Sequence, residues 1–115
     1  MQVLDYQLLF AKLFGLLMMK AQQMGYGVVL GEIYRSPEEV RRLAGVGIGH
    51  PKSLHGLCLA GHLELFEGRT YLEKTVDYMP LGEWWEQQHS LCRWGGRFTD
   101  PSDGHHFSIT FDGRA

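Results

Sequence analysis

Cysteine is scarce in this chain, and its distribution argues against several kinds of site. Cys58 and Cys92 are far apart in the sequence, and neither belongs to a Cys-x-x-Cys pair. A thiolate zinc site and a dense disulfide framework both need several closely spaced cysteines. We therefore expect neither, and predict two reduced thiols that are partly buried among apolar side chains.

The chain also lacks an excess of positive charge. Lys and Arg total 11 against 13 for Asp and Glu, which gives a formal net charge of -2. Proteins that bind nucleic acids usually present a clustered basic face. The sequence contains no such cluster, so we do not expect nucleic acid as a partner.

Long hydrophobic runs are missing as well. The apolar stretch at residues 8–19 is interrupted by Lys12 and followed by Lys20. It is too short to span a bilayer. It also lacks the preceding basic segment and the small-residue cleavage site of a signal peptide. We therefore expect no membrane insertion, and a chain made in the cytoplasm of a bacterial host without a signal peptide.

The remaining composition is that of a globular domain. The chain has 115 residues, of which 44% are hydrophobic and 21% charged, close to the average for soluble proteins. This length predicts a single domain over residues 1–115. Oligomerisation leaves no readable pattern in the sequence, and we expect a monomer.

Three stretches have the pattern of helices. Apolar residues recur at helical spacing between residues 3 and 24, and Gly25 follows as a stop. Residues 36–39, Ser-Pro-Glu-Glu, are typical of a helix start, because serine caps the first turn and acidic side chains face the positive end of the helix dipole. A third helix is predicted to begin near Pro80 and to contain Trp85.

Strands account for most of the rest. Residues 57–66 alternate between apolar and other side chains, so that His62 and Glu64 would share one face of a strand. Further strands are predicted at residues 26–34 and 106–111, and a hairpin turn at Glu67-Gly68 leads back through residues 69–72. Helices packed on a small antiparallel sheet make an α+β domain.

Three histidines and two charged residues suggest a metal site. His55 and His62 are seven positions apart, and His106 begins the last predicted strand. A catalytic zinc ion takes three protein ligands and leaves one position for water. Asp103, three residues before His106, is near enough to act as a general base. Arg35, at a strand end, can hold a substrate carboxylate or a developing oxyanion.

Histidine is common enough here for a less specific interpretation. With 6 histidines in the chain, some triple arises by chance, and a strand histidine is often only hydrogen-bonded. We expect His50, His89 and His105 to be loop or surface residues, with His105 as a weaker second candidate ligand.

Motifs along nearly the whole chain resemble one enzyme family. They read Ser-Leu-His at residues 53–55, Leu-Ala at 59–60 and Leu-Glu-Leu-Phe at 63–66, with further similar stretches at residues 31–38, 77–86, 94–98 and 103–108. In content and order they are similar to phage endolysins of the D-alanyl-D-alanine carboxypeptidase-like zinc peptidases, several of which are L-alanyl-D-glutamate endopeptidases. The resemblance implies a hedgehog/DD-peptidase type of fold, with Zn²⁺ held on a small antiparallel sheet.

The resemblance also implies roles for individual residues. His55 and His106 match the family's two zinc-binding histidines. Asp103 matches the catalytic acid/base, and Arg35 matches the arginine that stabilises the polarised carbonyl. Ser53 matches the serine just before the first ligand, where its hydroxyl can fix the loop.

His62 departs from the family pattern, which has a zinc-binding aspartate at this position. One interpretation is a lost ligand and an impaired or inactive site. The other is a three-histidine site, because imidazole is itself a good zinc ligand. In a three-histidine site a neutral ligand replaces a carboxylate, so the metal centre carries one more unit of positive charge.

The resemblance implies a zinc-dependent peptidase that cuts the stem peptide of bacterial peptidoglycan. We expect an L-alanyl-D-glutamate endopeptidase acting in cell lysis, which would reach the wall after holin-mediated release. The alternatives are a D-alanyl-D-alanine carboxypeptidase and a non-catalytic domain that binds wall peptide or metal. A purely structural metal site, closed by a fourth ligand such as His105, is a further alternative.

Overall fold

The computed structural model describes residues 1–47, 53–99 and 101–115. Within these ranges, helices pack on one antiparallel sheet. The helices are α1 (Val3–Gln23), α2 (Pro37–Gly45) and α3 (Met79–Gln88), and the strands are β1 (Gly27–Leu30), β2 (Ala60–Glu67), β3 (Thr70–Tyr71), β4 (Cys92–Trp94) and β5 (His106–Ile109). The predicted α+β class is confirmed.

Strand β2 lies at the centre of the sheet. It pairs with β1 along one edge and with β5 along the other, and β4 continues the sheet beyond β5. The end of β2 pairs with β3. Between β5 and β3, the Tyr78 hydroxyl completes the hydrogen bonding: it accepts from Leu65 N at 2.9 Å and donates to Leu72 O at 2.8 Å. These contacts hold β2 along both edges.

Helix α1 packs directly against β2. Its buried side chains include Phe10, Leu13, Phe14 and Leu17, which share one face because they are spaced by three and four residues. The close approach requires glycine at position 61, since a Cβ there would lie 2.7 Å from Phe14 Cε1. Neighbouring strand residues point to opposite faces. The residue that follows Gly61 on β2 therefore projects away from α1.

Two buried tryptophans tie the second half of the chain together. Trp85 of α3 donates from Nε1 to Arg93 O at 2.9 Å and to Ser108 O at 3.1 Å, which connects the helix to β4 and β5. Trp94 donates from Nε1 to Gly104 O at 2.8 Å. The turn before β5 is thereby fixed against the core.

The strand predicted at residues 26–34 is wrong in length, because β1 ends at Leu30. Gly31 N donates to His62 O at 2.9 Å, and His62 N donates to Glu32 O at 2.9 Å. Gly31 and Glu32 thus both lie opposite His62, which is the arrangement of a β-bulge. A bulge bends the strand and interrupts the regular pairing. The bulge directs the following segment over the face of the sheet that carries His62.

The strand predicted from residue 57 begins at Ala60 instead. The preceding residues Leu54–Leu57 form a 3-10 turn, and Cys58 after them has a left-handed backbone with φ 55°. Strand β4 was not predicted, because its three residues are too few to show an alternating pattern. The last strand ends at Ile109, short of the predicted residue 111.

The expected cap of α2 and the expected reduced cysteines are confirmed. Ser36 caps α2, its hydroxyl accepting from Glu39 N at 3.1 Å, and Cys58 and Cys92 are both free thiols. None of the described helices is long and apolar enough to cross a membrane.

Candidate metal centre

Three histidines from separate elements meet on the face of the sheet opposite α1. His62 on β2 is the direct cross-strand neighbour of His106 on β5, and the 3-10 turn before β2 supplies His55. The ring centroids are 4.8, 5.4 and 5.5 Å apart. One nitrogen from each ring lies within 4.8 Å of the other two. These three side chains can therefore bind one metal ion.

The orientation of His55 is fixed by two contacts. Its backbone N donates to the Ser53 hydroxyl at 3.2 Å, so Ser53 caps the 3-10 turn. Its Nδ1 lies 3.2 Å from Ile33 O. A carbonyl oxygen only accepts, so Nδ1 carries the proton and Nε2 keeps its lone pair. A hydrogen bond from the ring nitrogen that does not bind the metal is the usual way in which proteins orient a metal-binding histidine.

One further nitrogen in the centre has unsatisfied hydrogen-bonding capacity. Within the described residues, Nε2 of His106 is buried and forms no hydrogen bond, whereas the buried Nε2 of His62 lies beside the Asp103 carboxylate. Buried polar atoms are almost always satisfied, so the His106 nitrogen indicates a missing partner. Nitrogens on one tetrahedral zinc ion lie about 3.4 Å apart. The three nitrogens lie within 4.8 Å of one another, so a modest approach of the rings would fit this donor set to a zinc ion.

Electrostatics favour the form of histidine that binds metals. Burial and the neighbouring rings of His55 and His62 together lower the pKa of His106 to about 3, although Asp103 raises it. Burial also lowers the pKa of His55, and His62 adds to this effect. Both rings are therefore neutral around pH 7, with lone pairs available for a metal.

Asp103 lies at the edge of the same centre. Its Oδ2 is 3.2 Å from His62 Nε2, and its side chain is 40% exposed. Oδ1 accepts a hydrogen bond from His105 N at 3.3 Å. Burial raises the pKa of Asp103, but the contact with His62 and the nearby ring of His106 outweigh it and leave this pKa below its usual value. An ionised carboxylate thus borders the three imidazoles.

Arg35 approaches the centre from the segment after the bulge. Its backbone N donates to His55 O at 3.0 Å, and its side chain is only 10% exposed. Its positive charge contributes to the lowered pKa of both His55 and His106. The guanidinium forms an ion pair with Glu32, in which Nε lies 2.6 Å from Oε1.

The structure thus brings together the five side chains singled out in the sequence, His55, His62, His106, Asp103 and Arg35. Of the other histidines, His105 turns away to Glu64, and His89 accepts from Leu91 N after α3. His50 lies outside the described residues.

Three neighbours of the site were not predicted. Glu32 pairs with Arg35, and the Phe98 ring lies 5.3 Å from the His106 ring. Glu64 contacts Tyr71 and His105. For Glu64 the sequence contains a usable signal, since it stands two residues after His62 on an alternating strand and so shares its face.

Comparison with known proteins supports the fold. No protein-family model and no curated protein matches the chain. Among solved structures, the chain is similar to the crystal structure of the Serratia marcescens L-Ala D-Glu endopeptidase ChiX, with a TM-score of 0.69 and 19% sequence identity over 83% of this chain and 76% of that chain. The chain therefore has an α+β fold of the kind found in this L-Ala D-Glu endopeptidase.

Proposed function

We propose that this protein is a zinc-dependent peptidase that hydrolyses the stem peptide of bacterial peptidoglycan. The observation that carries the proposal is the convergence of three imidazole nitrogens within 4.8 Å, bordered by an ionised carboxylate, in the fold of an L-Ala D-Glu endopeptidase. His55, His62 and His106 are the proposed ligands, and residues 1–115 act as one catalytic domain.

Each side chain of the centre has a distinct role in this reaction. Zinc at the three imidazoles would supply a Lewis acid for the scissile carbonyl and the attacking water. Asp103 accepts the proton of that water and returns it to the leaving amine, as a positioned general acid and base does. Arg35, whose side chain is almost fully buried beside the centre, stabilises the negative charge that develops on the carbonyl oxygen.

The geometry around His62 favours a working three-histidine site over a lost one. One of its ring nitrogens lies within 4.8 Å of nitrogens of His55 and His106, and Asp103 Oδ2 lies 3.2 Å from its Nε2. A neutral ligand leaves the centre one unit more positive than a carboxylate would. Asp103 offsets this charge from its place beside the ligand, without having to bind the metal itself.

Among peptidoglycan bonds, we propose the one between L-alanine and D-glutamate, in line with the activity named for ChiX. Mass spectrometry of digested, purified peptidoglycan tests this. We expect products that separate L-alanine from the rest of the stem peptide. Loss of only the terminal D-alanine would identify a D-alanyl-D-alanine carboxypeptidase instead, and binding to the wall without new products would identify a non-catalytic domain.

We further propose a role in cell lysis. The chain would act as a monomer that is made in the bacterial cytoplasm and reaches the wall after holin-mediated release. No basic patch is required for such a substrate, which agrees with the net charge of -2. Expression in bacteria with and without a holin tests this: lysis is expected with the holin, and equal lysis in its absence would contradict this route.

A further inference from the structure

A second polar cluster lies beside the metal centre on the same face of β2. Glu64 Oε2 accepts a hydrogen bond from the Tyr71 hydroxyl at 2.5 Å and lies 2.8 Å from His105 Nδ1. Both members of the Glu64–His105 pair are largely shielded from solvent, with side-chain exposures of 27% and 17%. The pair is therefore more than a transient surface contact, since shielding strengthens such an interaction.

The His105 ring is held from three directions. Nδ1 faces the Glu64 carboxylate, and Nε2 lies 3.0 Å from Glu73 O. The ring also packs against Tyr78, with centroids 4.1 Å apart. Tyr78 itself bridges β2 to the chain after β3. The ring therefore has little freedom to move.

The backbone of His105 connects the Glu64–His105 pair to Asp103 and His106. Its N donates to Asp103 Oδ1 at 3.3 Å, and its O accepts from Leu63 N at 3.0 Å. The next residue along the chain is His106. A shift of His105 would thus move Asp103 on one side and a proposed metal ligand on the other.

We propose that Glu64 and His105 are positioning residues, which hold the turn at residues 103–106 against β2 and so set the places of Asp103 and His106 relative to His62. The effect on catalysis rests on the proposed peptidase activity, whereas the effect on metal affinity rests only on the proposed metal ligands. Mutation of residues that hold metal ligands in place, without binding the metal themselves, typically lowers metal affinity or activity by 10–100-fold.

Cobalt binding tests the metal part, since Co²⁺ takes the same kinds of ligand as zinc and its absorption spectrum reports coordination. Glu64→Ala and His105→Ala are each expected to weaken Co²⁺ binding by about 10-fold and to alter the spectrum. The double variant is expected to match the single ones, because all three remove the same contact. Glu64→Gln, which keeps an acceptor oxygen, should recover part of the affinity.

Glu73→Ala is the matched control. Glu73 is exposed, and its contact with His105 Nε2 is made by its backbone oxygen, which the substitution retains. Its Co²⁺ affinity and spectrum are expected to equal those of the wild type. Circular dichroism and thermal unfolding identify variants that do not fold. If the alanine variants unfold, Tyr71→Phe removes one hydrogen bond to Glu64 and is expected to weaken Co²⁺ binding in the same direction.

Steady-state cleavage of a soluble muropeptide tests the catalytic part. We expect kcat to fall in both alanine variants with KM nearly unchanged, because the pair is proposed to act through Asp103 and His106 and not on the substrate. Wild-type Co²⁺ affinity and spectrum in folded variants would overturn the proposal, as would losses that multiply in the double variant. A wild-type protein that binds Co²⁺ but cleaves nothing would refute the proposed function alone, because the cobalt affinities still test the positioning.

Discussion

Asp103→Asn is expected to fold and bind zinc like the wild type, and to digest peptidoglycan about 10²–10⁴ times more slowly, the usual contribution of a general acid or base. Asparagine keeps the shape of the side chain and its hydrogen bond from His105 N. It cannot accept a proton from the attacking water. Turbidity loss of purified peptidoglycan measures the rate, and zinc analysis of the same sample measures binding.

Asp112→Asn provides the matched control for this change. Asp112 is exposed and has a left-handed backbone with φ 51°, a conformation that asparagine also adopts readily. The net charge changes by the same amount as in Asp103→Asn, so full activity is expected. Digestion by Asp103→Asn at the wild-type rate would remove Asp103 from the mechanism.

His62→Ala is expected to lower zinc affinity by more than about 100-fold. This loss is larger than the 10–100-fold typical for mutation of a residue that only holds a metal ligand in place. The substitution removes one of three imidazoles and leaves only His55 and His106 in the centre. Peptidoglycan digestion should be lost with the metal. Zinc titration and turbidity loss measure the two effects, and His89→Ala, a histidine after α3, serves as the control.

His62→Asp distinguishes a working three-histidine site from an impaired one. A carboxylate is also a zinc ligand, so we expect this variant to retain metal and some digestion. The wild type is expected to be active as well. Digestion that appears only in His62→Asp would show that the natural site is impaired, and would contradict a functional role for His62.

The pattern of the sequence predicted those elements whose local signals are strong. Helix α1 follows from apolar residues at helical spacing, and the start of α2 follows from the Ser36 cap. The alternation along β2 placed His62 and Glu64 on one face, where the structure has them in contact with Asp103 and His105. Helical spacing, helix caps and strand alternation all depend only on residues that are close together in the sequence.

The errors have a common physical origin in tertiary contacts. Strand β1 stops early because Gly31 and Glu32 both bond to His62, a residue thirty positions later in the chain. Strand β4 is defined by pairing with β5 rather than by its own short sequence. The Glu64–His105 pair joins residues 41 positions apart. No local pattern records such pairings.

The site was predictable to the extent that it resembles a known family. Composition and spacing alone left His55, His62 and His106 as one triple among 6 histidines. The structure adds the convergence of their nitrogens within 4.8 Å. It also adds the ion pair of Glu32 with Arg35, since the family-like stretch at residues 31–38 assigned no role to Glu32.

The metal content of the purified protein, measured together with its digestion of peptidoglycan before and after chelation, tests the central claim most directly. We predict about one zinc ion per chain, which binds to the three imidazoles. Chelation should abolish digestion, and added zinc should restore it. Digestion that continues in metal-free protein would contradict the account, and so would a zinc-loaded protein that leaves the stem peptide intact.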